Sequence, residues 1–305
     1  RLDDAQEGTA FFSTQGFVPP RIFDGVIAAE VLDDGIRWIK NGSSFPSGGK
    51  PDQARRGQAL TLWAVLWAAN YRYILSYSFV DDGSIRVRLG ATGQNLYSPS
   101  QDHSGHGTHV HMGAWRMEFS LGDEASNRIS VVEAVQSSLT GAAEVIETSF
   151  NQGREGGIVL DPTRFTMLKV TSGAITSRHD PPKPTAYALV PGMPGKLRSS
   201  GRGEGATAYD IWVTRLAPDG PPERTVAGQE LSYRHLPVYV QQEPLPLESE
   251  PVAIWHGAAL LHIPRGEDFG PKGYDRKDGV ALTGWAGFTL VPRDLWDGTP
   301  FFKRD

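Results

Sequence analysis

The tripeptide His109-Val110-His111 is the densest concentration of potential chemistry in this sequence. On a strand, residues i and i+2 project from the same face, so two imidazoles at this spacing can meet one ion. Without a strand beneath it, the same pair is two surface histidines in a polar loop, and His103 and His106 nearby would make the run an adventitious cation trap. The chain contains no cysteine. Disulfides and thiolate metal sites are therefore excluded, and any transition metal must rest on His, Asp, Glu or Tyr. Neutral imidazoles suit Cu(II), and a Lewis-acidic ion beside a tyrosine favours the phenolate. Tyr71, in Ala69-Asn70-Tyr71-Arg72-Tyr73, taken alone is an ordinary strand aromatic.

The elements available to position such groups are strands. Period-2 and β-rich segments between turn signals fall at 27–31, 59–67, 73–80, 85–91, 164–170, 186–190, 208–213, 238–242, 252–262 and 287–291. Asp81-Asp82-Gly83-Ser84 joins two of them, and Gly83 supplies the positive φ of a tight connection, so residues 73–92 are expected to form a hairpin. Only 129–147 reads as a helix, with apolar residues at Val131, Val132, Ala134, Val135, Ala142, Val145 and Ile146, interrupted by Gly141. Long loops poor in apolar residues fall at 41–57, 98–108, 192–205 and 266–278. This pattern predicts an all-β fold, a large antiparallel β-sandwich with long surface loops.

At 305 residues a β-rich chain can be one domain, so 1–305 is read as a single domain. With 21% charged and 39% hydrophobic residues, 35 Gly and 22 Pro, the chain suits a turn-rich globular protein. A formal charge of -5, a pI near 5.9 and scattered basic residues offer no general attraction to nucleic acid or anionic lipid. The most apolar run, 59–69, is too short to span a bilayer, and no leader pattern opens the sequence. The compartment stays open.

Two segments far from the His109 pair carry a family resemblance. Asn70-Tyr71-Arg72-Tyr73, then His109-Val110-His111, then His262-Ile263-Pro264-Arg265-Gly266-Glu267-Asp268 follow the order seen in the copper amine oxidases. In that family an Asn-Tyr-(Asp/Glu)-Tyr segment carries the tyrosine that becomes topaquinone. An H-x-H supplies two copper ligands, and a late His followed by x-P-R-x-E-D supplies the third. Further similarity lies in Asp33-Asp34-Gly35-Ile36-Arg37-Trp38, Pro184-Thr185-Ala186-Tyr187, Ile211-Trp212-Val213-Thr214 and Gly287-Phe288-Thr289-Leu290-Val291-Pro292, so it covers residues 22–300.

The resemblance implies a supersandwich-like fold and copper(II) held by His109, His111 and His262. It implies topaquinone derived from Tyr71 beside Asn70, with a primary amine and dioxygen as small-molecule substrates, and a homodimer. The implied reaction oxidises the amine to an aldehyde with release of ammonia and hydrogen peroxide, a carboxylate removing the α-proton. Asp4, in Asp4-Ala5-Gln6-Glu7-Gly8, resembles the family's base segment, the alternative being a solvated acidic terminus. The N-terminal part of the family's domain reads as shortened.

Two positions depart from the pattern. Arg72 stands where the family carries Asp or Glu, reversing the charge next to the tyrosine, and Trp67 replaces a Thr, its bulk expected to alter the packing around Tyr71. These departures keep two other readings open: a copper-dependent oxidase or oxygenase with unmodified Tyr71, and a copper-binding protein without turnover. Glu118 falls at a peripheral calcium position of the family but reads as a surface acid. Arg265, Glu267 and Asp268 are candidates for orienting the ligand His262, or are ordinary paired charges. His179, His235 and His256 read as structural.

Overall fold

The computed structural model describes residues 21–23, 27–40, 53–68, 70–94, 108–137, 140–179, 181–192, 205–216, 236–237, 240, 244–269 and 280–298. Asp4, His103, His106 and His235 lie outside the described residues. The chain divides into two compact units, one of Arg1–Gly107, Pro264–Trp285 and Gly298–Asp305, the other of Thr108–Ile263 and Ala286–Asp297.

The first unit is a meander of β1 (Arg21–Phe23), β2 (Ile27–Lys40), β3 (Gln53–Ala68), β4 (Tyr71–Val80) and β5 (Ile85–Gly93). Each strand pairs antiparallel with the next. The hairpin expected at Asp81–Ser84 is present. Val80 N–H donates to Ser84 O at 2.9 Å, and Gly83, at φ +86°, occupies the left-handed region its lack of a Cβ permits.

A charge network ties this turn to an irregularity in β2, where the register with β3 shifts between Asp33 and Ile36. The Asp34 carboxylate, almost wholly buried, accepts from Arg37 Nη1 at 2.6 Å and Arg86 Nη2 at 2.7 Å. Arg37 in turn pairs with Asp82 in the turn. Charges held in a low-dielectric setting by paired hydrogen bonds fix geometry more firmly than exposed pairs such as Asp33–Arg56.

The second unit contains β6 (His109–Glu118), β7 (Arg128–Gln136), β8 (Ala143–Ser149), β9 (Gly156–Ile158), β10 (Met167–Thr176), β11 (Pro184–Pro191), β12 (Ile211–Arg215) and β13 (Val252–His262). The last strand, β14 (Ala281–Arg293), starts in the first unit and ends in the second. Within the second unit one sheet runs β14-β11-β10-β7-β8 and the other β6-β13-β12-β9. Each of these pairings is antiparallel. Phe288 of β14 meets Trp115 of β6 edge-on at 5.5 Å and His256 of β13 at 5.1 Å, so the two sheets face each other as a sandwich. The run from Val252 to Leu260 is buried on both faces, in keeping with a sequence that is apolar apart from His256.

Three local expectations are corrected. Residues 129–147 form no helix: β7 and β8 pair with Val131 opposite Thr148 and Ala134 opposite Val145, around a turn in which Gly141 takes φ +67°. Five of the apolar residues read as a helical stripe are β-branched, and β10 offers β7 a second partner, so sheet pairing overrides the local period. The strand read at 164–170 starts at Met167, because Asp161 caps a 3₁₀ turn over Pro162–Arg164 through Thr163 N–H at 2.8 Å. Residue 240, read within a strand, is helical, with its side chain packed in an apolar cluster with Trp212 and Trp255. No helix among the described residues is long and apolar enough to cross a membrane.

Candidate metal centre

Strand register builds the histidine cluster. In the β6–β13 pairing His109 lies opposite His262, and His111 lies opposite Leu260. His111 projects from the same face as His109, two residues along. The three rings therefore converge, with centroids 4.6 Å apart for His109–His111, 5.0 Å for His109–His262 and 6.2 Å for His111–His262. One ring nitrogen from each lies within 4.8 Å of the others, so the triad can coordinate a metal ion.

Electrostatics suit the same purpose. His111 is buried, while His109 and His262 are half-buried. Burial, reinforced by the neighbouring His109 and His262, pushes His111 down to about 4. Its imidazole is thus neutral at physiological pH, with a lone pair available to a cation.

Tyr71, in the first unit, opens β4 immediately after Asn70. Asn70 holds the start of the hairpin through Nδ2 to Gln94 O at 2.6 Å, and Gln94 N–H returns to Asn70 O at 3.1 Å. Gly93 sits opposite Tyr71, and a Cβ there would lie 2.3 Å from Asn70 O and 2.8 Å from Tyr71 Cα. Only glycine admits this approach. Tyr71 is 6% exposed, and burial, then the Asp268 charge, then Tyr73 push its phenol up to about 12. The Tyr73 ring lies 6.4 Å away on the same face.

The copper amine oxidase enzyme-domain model matches residues 33–303. The chain belongs to the copper amine oxidase family. It is 24% identical to the histamine oxidase of Arthrobacter globiformis, covering 93% of this chain and 42% of that protein. It is 22% identical to the primary amine oxidase of Klebsiella aerogenes, covering 83% and 36%. Among solved structures, it matches the copper-containing benzylamine oxidase of Hansenula polymorpha with a TM-score of 0.67 at 16% identity, covering 90% of this chain and 45% of that one. The chain thus spans less than half the length of these relatives, and the structural likeness establishes the fold.

Against the family pattern, the two departures form a pair. Trp67 and Arg72 are cross-strand partners, and the Arg72 guanidinium carbon stacks 3.6 Å from the indole centroid. Adjacent strand residues point to opposite faces, so Arg72 leaves the sheet on the side away from Tyr71, and Trp67 with it. The bulk of Trp67 is 65% exposed rather than inserted on the Tyr71 side.

Asp268, Arg265, Glu118, His179 and His256 find structural partners. Asp268 is buried and folds back on its own loop, accepting from Arg265 N at 2.9 Å and Arg265 Nη2 at 3.0 Å. Its charge acts on Tyr71, a connection the motif did not reveal. Glu118 pairs with Arg116 at 2.6 Å. His179 lies 3.9 Å from Asp294, and buried His256 bonds Asp210 O at 2.9 Å through Nδ1. Tyr73 and Gly93 were not singled out from the sequence. The signal for both was available in the hairpin register, which sets them beside or across from Tyr71.

Proposed function

We propose that this chain is the catalytic region of a copper-dependent amine oxidase, converting a primary amine, dioxygen and water to an aldehyde, ammonia and hydrogen peroxide. The observation that carries this reading is the convergence of His109, His111 and His262 within 4.8 Å in a chain of this family. The donor set fits copper: three imidazoles, one of them kept neutral by burial, with no thiolate. Copper held by these three residues would supply Lewis acidity and one-electron chemistry with dioxygen, and topaquinone derived from Tyr71 an electrophilic carbonyl and electron sink.

The protein's own residues supply the setting. Asn70 and Gly93 fix the backbone at Tyr71, and burial keeps its phenol protonated in the absence of a cation. Phenolate formation at Tyr71 therefore depends on metal, which makes cofactor formation responsive to copper loading. Asp268 is an anchor rather than the base, since both its carboxylate oxygens are engaged by Arg265. Asp4 is proposed as the base that removes the substrate α-proton, on motif likeness alone. The family's homodimer is proposed with the activity. It would cover a row of exposed apolar residues across β2, β3 and β4, namely Val31, Leu60 and Phe79.

A second reading, a copper oxidase or oxygenase with unmodified Tyr71, is favoured by Arg72, which replaces the family's acid beside the tyrosine. One experiment separates the two. The apoprotein is loaded with copper in air, and the mass of the Tyr71 peptide, quinone staining and peroxide release with a panel of primary amines are measured. A modified peptide with amine-dependent peroxide supports the first reading; bound copper with an unmodified peptide supports the second, and no copper uptake refutes both.

A further inference from the structure

The sheet face opposite Tyr71 carries two arginines that no described residue neutralises. Arg72 stacks on Trp67 at 3.6 Å, and Arg88 lies over Trp285 at 5.1 Å. The register sets both on one face. Arg72 pairs with Thr92, Ser76 pairs with Arg88, and residues 72 and 76 share parity along β4. Gly90, of the same parity, leaves room for the Trp285 ring, since a Cβ there would lie 2.9 Å from it. Strand geometry separates the two guanidinium-bearing positions by about 14 Å, four residues along and one strand across.

Their isolation contrasts with the other end of this unit. Arg37, Arg56 and Arg86 are all paired with Asp33, Asp34 or Asp82. Among the described residues neither the Arg72 nor the Arg88 side chain makes a hydrogen bond or an ion pair, in a chain whose net charge is -5. A guanidinium carried over an indole keeps its N–H groups available, and its fork can recognise a carboxylate with two parallel hydrogen bonds. Arg88 is exposed, and Arg72 is half-buried beside Trp67, which is 65% exposed.

We propose that this face docks an extended acidic peptide segment of a partner protein, its carboxylates bridging Arg72 and Arg88. No single small anion spans about 14 Å, whereas acidic side chains four residues apart on an extended strand do. Charge complementarity and the paired fork geometry select carboxylates. The indoles serve as supports for the arginines: the edge of the Trp285 ring lies close to Gly90, and Arg88 lies over the ring.

The test titrates the full chain with a labelled peptide bearing glutamates four residues apart in a Ser/Gly background, followed by anisotropy and by Trp fluorescence. Saturable binding that weakens roughly tenfold in each of Arg72→Gln and Arg88→Gln, and falls with salt, is the expected result. Arg56→Gln, which removes an already paired arginine, should leave binding unchanged. Thermal melts establish that each variant is folded, and Arg72→Lys and Arg88→Lys, which keep charge but lose the fork, should bind at intermediate strength. The proposal is overturned if the peptide does not bind, if the double glutamine variant binds as wild type, or if a sulfated oligosaccharide binds and the peptide does not. Peptide with adjacent glutamates binding equally well would also overturn it, since the bridge would then be absent. None of these outcomes depends on copper or on turnover.

Discussion

His109 stands directly across from His262 in the β6–β13 ladder, their ring centroids 5.0 Å apart, although most of the second unit's sequence separates them. That cross-strand pair, with His111 two residues along, is the geometric core of the candidate metal centre. Replacing any one of the three by Ala leaves two imidazoles, and copper affinity is expected to fall by at least about 100-fold. Metal analysis after competition with a chelator measures it. Retention of stoichiometric copper by His262→Ala would remove the triad from the site.

Acid sensitivity follows from His111. Its folded value of about 4 lies below its ordinary 6.5, so the unfolded chain takes up this proton first. Stability contributed by the neutral ring is therefore fully present above pH 6.5 and declines as pH falls toward about 4. Denaturant titrations of the metal-free protein across that interval should show the slope, and His111→Gln should flatten it. Equal slopes in the two proteins would contradict the burial argument.

Gly93→Ala places a Cβ against Asn70 O and the Tyr71 backbone. The backbone carbonyl cannot swing away like a flexible side chain, so the hairpin must open at its end. A loss of about 2 kcal/mol is expected, along with reduced modification of Tyr71 on copper loading. Urea unfolding and the mass of the Tyr71 peptide report the two effects separately.

Burial decides between two aspartates next to each other in sequence. Asp34→Ala removes an almost wholly buried carboxylate shared by Arg37 and Arg86, and should cost about 3 kcal/mol. Asp33→Ala breaks the exposed pair with Arg56 and should have a much smaller effect. Comparable losses in parallel urea unfolding would show that the Asp34 network adds nothing beyond a surface pair.

Much of this protein was legible in local pattern. Alternating β-branched runs named most of the strands, Asp81–Ser84 named its hairpin, and the order of the Asn70, His109 and His262 segments named the family, because each depends on neighbouring residues or on a short linear motif. What local pattern could not supply was pairing. The stretch 129–147 carries apolar spacing compatible with a helix, and the offer of a partner strand from β10 turned it into β7 and β8. Trp67 and Arg72 look like two separate departures until the β3–β4 register makes them one stacked pair. Asp268 looks like a companion of His262, yet its loop folds its carboxylate onto Arg265 and its charge bears on Tyr71. Register, burial and electrostatic environment are properties of residues distant in the chain, so folding, and no inspection of neighbours, sets them.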